Sequence, residues 1–340
     1  MTRFDRAVAG EPQAVPPIWL MRQAGRYHRH YQALRRRHSF DVLCRTPDLA
    51  ARVALGPVED FDFDCAILFS DLLYPLDAFG LRVRYTEAGP RLETRLTDAT
   101  LRRLVDVERA AARLAFQADA VRATRSLLPA DRALIGFVGG PWTLFVYAVE
   151  GGHTGPLARA KTSLALYRRF VRRLRPLLER VIAAQIAAGA RFVMIFDTAA
   201  GELPAQTFRS TVAPDLVHLA QRFPGRLGYF AKHLHPDHLA PLLSGTSPWA
   251  GLGFDSRWDL ASCLRRRAAA GFIQGNFDPA LLFLKGRALD RAIDGFLDPL
   301  RALSWTERRG WICGLGHGVL PGTPETSVRR FVQRVRSTMS

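Results

Sequence analysis

Short apolar runs separated by longer amphipathic stretches set the rhythm of the chain. IWLM (18–21), CAILFS (65–70), LIGFVG (134–139), FVMIFD (192–197), LGYFAK (227–232), GLGFD (251–255), GFIQGN (271–276) and WICGLG (311–316) read as strands. Most lack the polar/apolar alternation of a half-exposed strand, the pattern of parallel strands covered on both faces. Helical stretches fall between them. TPDLAARVALGPVEDF (46–61) opens at Thr46, with Pro47 at the first helical position. Residues 160–188, rich in Leu, Ala and Arg, run as a long helix stopped by Gly189, and TPETSVRRFVQRV (323–335) starts as the first helix does. Strands and helical crossovers in this order predict a single (β/α)8 TIM-type barrel over residues 1–340, with 1–16 a loosely ordered leading segment. No G-x-G-x-x-G follows an early strand, which disfavours a dinucleotide-binding sheet.

Composition narrows the setting more than the chemistry. Hydrophobic residues make up 48% of 340, ample for a large core. No apolar run reaches the roughly 18–20 residues of a membrane span. MTRFDRAVAGEPQAVPP lacks the apolar stretch of a secretion signal, and Cys44, Cys65, Cys263 and Cys313 have no paired spacing. The expectation is a cytoplasmic protein with reduced thiols. The net charge of +17 comes almost wholly from arginine, since Lys161, Lys232 and Lys285 are the only lysines. That excess favours an anionic partner and by itself does not separate nucleic acid from a polycarboxylate.

In a barrel, function sits where strands end. Those ends carry Arg22 and Arg26 in WLMRQAGRY, Asp71 in ILFSD, the block GGPWTLFVYAVEGG with Tyr147, then Thr198, Lys232 and His233. Asp255, Asn276, Asp278 and His317 in GLGHG follow. Each has a plain reading. Asp71 is either a helix cap or arginine partner, or an anchor for a cationic or N–H-bearing group. GLGHG lacks the Lys-Ser/Thr of a phosphate loop, and a lone histidine is more often structural. Tyr147 and Thr198 alone read as packing and a loop hydroxyl. KHLHPDH (232–238) is the best metal candidate, yet such close spacing rarely converges, and Pro236-Asp237 looks like a helix start. No G-x-S-x-G marks a serine nucleophile.

Taken together and in order, WLMRQAGRY, ILFSD, GGPWTLFVYAVEGG, FDTAAG, IQGNFDP and GLGHGVLPGTP resemble the uroporphyrinogen decarboxylase family of haem biosynthesis, over residues 17 to about 335. The resemblance implies a (β/α)8 barrel with a deep cleft at the strand C-terminal ends, a homodimer, and no metal or organic cofactor. It implies a polycarboxylated tetrapyrrole substrate, uroporphyrinogen III, whose four acetates become methyls in coproporphyrinogen III. By motif, Arg22, Gln23, Ala24, Gly25 and Arg26 would line the mouth, with Arg35 a further basic residue. Asp71 would receive the pyrrole N–H groups; Tyr147, Phe196, Thr198 (the usual serine) and His317 would complete the cleft. Asp71, Arg22, His317 and Tyr147 are the catalytic candidates. Asp71 must stay ionised, and neighbouring arginines are expected to depress its pKa. Departures from the family pattern are His28-Arg29-His30 for Leu-Pro-Glu, Leu55-Gly56-Pro57 for LQP, Phe254-Asp255-Ser256 for Leu-Asp-Trp, and Gly314 for Asn.

Other readings remain in view. A zinc-dependent methyltransferase acting on corrinoid or thiol substrates needs His-x-Cys after the fifth strand and a later Cys. Here that place reads Lys232-His233-Leu234-His235, with only Cys313 near the last strand. A divergent copy that binds a tetrapyrrole without reacting is disfavoured by Asp71, Tyr147 and His317. Nucleic-acid binding rests on charge alone, with no groove-reading or stacking motif.

Overall fold

The structure, a computed structural model, describes residues 1–86, 89–243, 247–266 and 271–339. Its strands are β1 (Cys65–Ile67), β2 (Val83–Thr86), β3 (Gly89–Leu92), β4 (Ala133–Gly139), β5 (Val193–Phe196), β6 (Leu227–Phe230), β7 (Gly251–Gly253), β8 (Phe272–Phe277) and β9 (Trp311–Leu315). Seven of them form one parallel sheet in the order β1-β4-β5-β6-β7-β8-β9. Every residue of these seven is buried, which is why their sequences do not alternate.

IWLM is not the full strand expected of it. It contributes an isolated parallel bridge between Ile18 and Cys313. The physical reason lies on either side: Pro16 and Pro17 bring no N–H to a ladder, and the chain turns away at Met21. The short segment still spans the two sheet edges. Cys313 N donates to Pro17 O at 2.9 Å and Trp19 N to Cys313 O at 3.1 Å, while Asp64 N, just ahead of β1, donates to Ile18 O at 3.0 Å.

Asp64 fixes that junction. Its buried carboxylate accepts from Ile18 N (2.7 Å), Arg3 Nη1 (2.8 Å) and Arg336 Nη2 (3.2 Å). Removing it strands the buried Ile18 N–H and takes a partner from two guanidiniums, of which Arg336 keeps Asp62 and Arg3 reaches solvent. Asp64→Ala is therefore expected to cost about 1–3 kcal/mol of stability, the usual range for leaving a buried donor unsatisfied. Urea unfolding of parent and variant measures it; a change within error would remove Asp64 from this role.

Residues 1–16 are not loosely ordered throughout, as expected from composition. A helix spans Arg3–Val8 with a capping box between Thr2 and Asp5, and it buries Phe4 and Ala7. Phe4 stacks on Phe192 at 5.9 Å and Arg191 Nε reaches Asp5 at 2.9 Å, so the segment plugs the end of the sheet opposite the strand exits. The helix Pro47–Phe61 matches its sequence signal, although Thr46 makes no side-chain cap. The long helix starts later than expected, at Leu164, after a separate short turn Ala158–Thr162; it runs to Ala187, with Gly189 at φ +115° beyond it. The last helix is Glu325–Met339. Among the described residues no helix is long and apolar enough to cross a membrane.

The pair β2 and β3 forms an antiparallel hairpin outside the main sheet, with Tyr85 opposite Pro90. Its helical neighbour holds it: Val83 N donates to Asp77 Oδ1 at 3.2 Å, and Arg45 clasps both Asp41 (2.8 Å) and Asp77 (2.9 Å). This brings the hairpin over the exit of β1.

Candidate active site

The RQAGRY block is a tight turn built to present arginines. Gln23 Nε2 donates to Cys65 O (2.9 Å), its Oε1 accepts from Leu20 N (3.3 Å), and Tyr27 Oη donates to Gln23 O (2.8 Å). Gln23 is fully buried and acts as the peg of the turn, its side-chain amide spent on the backbone of Leu20 and Cys65. With that peg in place, Arg22 adopts φ +60°, a left-handed backbone that non-glycine residues adopt at a cost, and points into the open space at the strand exits. Gly318 of the GLGHG block faces the same side chain: a Cβ there would lie 2.5 Å from Arg22 Cδ. The glycine is there to let a guanidinium arm cross.

Arg22 opens onto a cleft of about 1400 Å³ that also takes in Ala24, Gly25, Arg26, Arg35 and Asp71. The early arginines and the aspartate thus line one cleft. Asp71 Oδ1 accepts from Leu73 N at 2.9 Å, an Asx-type turn that aims the carboxylate outward from the end of β1. Its pKa is not depressed. Burial pushes it above the ordinary carboxylate value, and the Leu73 N–H, the Tyr85 hydroxyl and Arg22 only partly oppose that. The expectation of a low pKa failed because desolvation outweighs the single arginine near enough to matter. Arg22 is likewise lowered by burial, against the pull of Tyr147 and Asp71. Arginine is so weak an acid that it remains a cation at neutral pH.

Tyr147 and His317 belong to the same electrostatic group. Tyr147, on the helix Pro141–Glu150, is raised by burial and then by the Asp71 charge, with Arg22 and Arg91 opposing. His317 is pushed down to about 4 by burial, then by Arg22 and Lys232. Its imidazole is therefore neutral at physiological pH, and as it stands it holds no proton to give as a general acid. Its ring meets Phe230 edge-on at 6.1 Å, and Phe230 in turn meets Phe196, which packs on Phe137. Phe196 thus belongs to an aromatic floor. Thr198 lies half-buried two residues beyond it, and no hydrogen bond ties it to Arg22 or Asp71 among the described residues.

Most remaining polar residues at the strand exits hold structure together. Asp255 receives His233 N (2.6 Å) and a forked Arg257 (2.8 Å on one arm). Asn276 Nδ2 donates to Asp255 O and Trp258 O, both at 2.8 Å, and Asp278 caps the turn after β8. KHLHPDH supplies a helix, Pro236–Leu243, whose His238 Nε2 contacts Leu203 O at 2.9 Å. Among the described residues no group of three or more His, Cys, Asp or Glu side chains is placed to hold a metal ion. Cys313 is fully buried within β9 and its thiol is held strongly protonated by burial.

The hairpin residues were not anticipated from sequence. Arg84, Tyr85 and Thr86 line the cleft, together with Tyr31, Arg36 and Phe40. The signal was available in VRYT, where apolar Val83 and Tyr85 alternate with Arg84 and Thr86 at the period of a strand.

The uroporphyrinogen decarboxylase (URO-D) family model matches residues 1–338. The chain belongs to the uroporphyrinogen decarboxylase family. It is 36% identical to the uroporphyrinogen decarboxylase of Pelobacter propionicus, covering 98% of each chain. It is also 36% identical to that of Xylella fastidiosa, covering 98% of this chain and 97% of that one. A methyltransferase from Methanosarcina mazei shares the fold at a TM-score of 0.73 over the full length of both chains, with 16% identity. At that identity the likeness speaks for the α/β architecture alone.

The departures from the family pattern have local partners. A Cβ at Gly56 would lie 2.5 Å from the His30 ring, so Gly56 makes room for the histidine, which bonds Arg52 O at 3.0 Å. His28 is buried against Asp60 at 2.6 Å, and Arg29 bonds Glu325 through both its backbone and side chain. At Gly314 a Cβ would meet Gln274 Nε2 and Trp19 O. Of these departures, Gly56 and His30 pack directly on each other.

Proposed function

We propose that the chain converts uroporphyrinogen III to coproporphyrinogen III, with Asp71 as the anionic centre and Arg22, Arg26 and Arg35 as carboxylate-binding groups. The observation that supports it most is the Asp71 carboxylate, backed by Arg22, in a cleft whose other acidic lining residues, Asp41 and Asp77, are already paired with Arg45, and which is larger than the roughly 300–1,000 Å³ of ordinary small-ligand pockets. A macrocycle with pyrrole N–H groups at its centre and carboxylates around its rim needs that inversion of charge. The rim carboxylates take forked bonds from guanidiniums, and the inner N–H groups converge on Asp71.

Each cycle consumes one proton: an acetate side chain plus a proton becomes a methyl group plus CO2. A proton added to a pyrrole ring carbon makes a cationic, iminium-like ring. The bond between the acetate CH2 and its carboxylate then breaks, its electron pair flows into the ring, and CO2 leaves. A proton taken up on the CH2 and one lost from the ring restore the pyrrole. Asp71 stabilises the ring only while it is cationic, which is binding spent on the transition state. His317, neutral in the free protein, gains affinity for a proton when a substrate carboxylate settles beside it. Substrate binding would then recruit the acid that the free site lacks. Gln23 acts by holding the turn, Phe196 as floor and Thr198 as a hydroxyl at the wall. The same reading makes the chain a single domain, closed as a full (β/α)8 barrel by residues 17–19 and working as a cytoplasmic homodimer without metal or organic cofactor.

Anaerobic incubation with uroporphyrinogen III, then oxidation and chromatographic separation of the porphyrins, tests the reaction. The expected outcome is the four-carboxylate product. Tight binding without any loss of carboxylates would instead establish a non-catalytic carrier, and stoichiometric zinc with methyl transfer would restore the methyltransferase reading.

A further inference from the structure

Tyr85, on the hairpin strand β2, occupies an unusual position. Its ring is wedged between Phe40 (centroids 4.8 Å apart) and Tyr74 (5.8 Å). It lines the same cleft as Arg22 and Asp71. Its hydroxyl oxygen is buried and has no hydrogen-bond partner among the described residues. That hydroxyl faces the Asp71 carboxylate, near enough to favour its ionised form though outside hydrogen-bond geometry. Buried phenols normally find a partner. Here the hairpin that carries the phenol is clamped from behind by Asp77 and Arg45, so its aim is set by the fold.

We propose that Tyr85 is a positioning residue for Asp71, donating its hydroxyl to the carboxylate and holding it ionised and aimed at the ring nitrogens. The proposal rests on the decarboxylase reading for its catalytic consequence. A phenol whose own ionisation is strongly suppressed by burial and by the Asp71 charge serves as a donor and never as a competing anion. The other groups facing Asp71 come from three elements: Arg22 from the RQAGRY turn, Tyr147 from the helix Pro141–Glu150, and Cys44 from the helix Phe40–Arg45. Arg22 favours the anion. Cys44 is held neutral by burial and Tyr147 is likewise raised, so neither adds a charge near neutral pH. The Leu73 N–H is already committed to Asp71 Oδ1, and besides the arginine it is the Tyr85 hydroxyl whose presence favours the ionised carboxylate.

Tyr85→Phe removes the donor and leaves the wedge. The Asp71 carboxyl is followed directly by 13C NMR titration of Asp-labelled protein, assigned with Asp71→Asn, alongside kcat, KM and the pH profile. The expected results are an Asp71 pKa raised by about one unit and an acid limb of kcat moved upward by the same amount. At neutral pH kcat falls by roughly tenfold to a hundredfold while KM stays within about twofold. A purely structural tyrosine would alter melting temperature and KM and leave the titration in place. If the parent converts no substrate while the Asp71 titration still moves in Tyr85→Phe, the link between the two residues stands and the decarboxylase reading falls. An unmoved titration overturns the proposal whatever the activity.

Discussion

Asp71→Asn is expected to lower kcat by at least about a hundredfold, with KM changed by no more than a few-fold and melting temperature equal to or above that of the parent. The turnover loss follows from charge. An amide offers one acceptor oxygen where the carboxylate offers two, and it turns an N–H2 toward the pyrrole N–H groups. It has no net charge with which to offset a cationic ring. Ground-state binding suffers less, because the guanidiniums at the rim still hold the side-chain carboxylates.

The stability half of that expectation comes from the sign of the Asp71 shift. Burial raises its pKa above 3.8, so the folded protein holds this proton more tightly than the unfolded chain does. Stability contributed by the protonated form is present at low pH and is lost as pH rises through the raised pKa. At pH 7 the native state carries a charge that the fold disfavours, and the neutral amide relieves it. Strain of this kind is expected where function sets the residue. Steady-state kinetics and thermal melts at pH 7 and pH 4 check both halves: the stability gain should shrink at the lower pH. Near-parental turnover in Asp71→Asn would remove Asp71 from the centre of the mechanism.

How much of this was legible beforehand depended on how local each feature was. The parallel strands announced themselves because a strand buried on both faces is apolar without interruption, as in CAI and ALIGFVG. The first strand misled because IWLM is equally apolar, yet its neighbours, two prolines and a peg-like Gln23, curtail the ladder to one bridge. A motif can name Arg22 and Asp71 but not their electrostatics, since the pKa of a carboxyl depends on how much protein surrounds it and no spacing encodes that. His317 followed the same course: a histidine in a glycine-rich turn has an ordinary pKa on paper, and burial beside Arg22 and Lys232 takes it to about 4. Gln23 was placed at the mouth with its neighbours because motifs name positions without saying which way a side chain turns. The hairpin was missed outright. A four-residue strand off the main sheet leaves too short a pattern to stand out, although its alternation is plain once its place over β1 is known.

Arg22 separates two accounts of the proton. Arg22→Ala is expected to reduce kcat/KM by roughly 30- to 5,000-fold, the equivalent of about 2–5 kcal/mol for losing one member of a desolvated charge pair. Arg22→Lys discriminates further. Lysine keeps the cation but replaces a planar fork of donors by a single ammonium, and its reference pKa of about 10.4 makes it a better acid than arginine by two units or more. If residue 22 delivered the proton, the lysine variant would work at least as well, because a general acid improves as its pKa approaches the working pH. If residue 22 orients a carboxylate through paired bonds, the lysine variant fails nearly as badly as alanine. Orientation is the expected outcome, since the peg at Gln23, the left-handed turn at position 22 and the glycine at 318 all serve the direction of that side chain. Kinetics of the two variants measured side by side decide between the accounts, and a lysine variant as active as the parent would transfer the role of acid to Arg22.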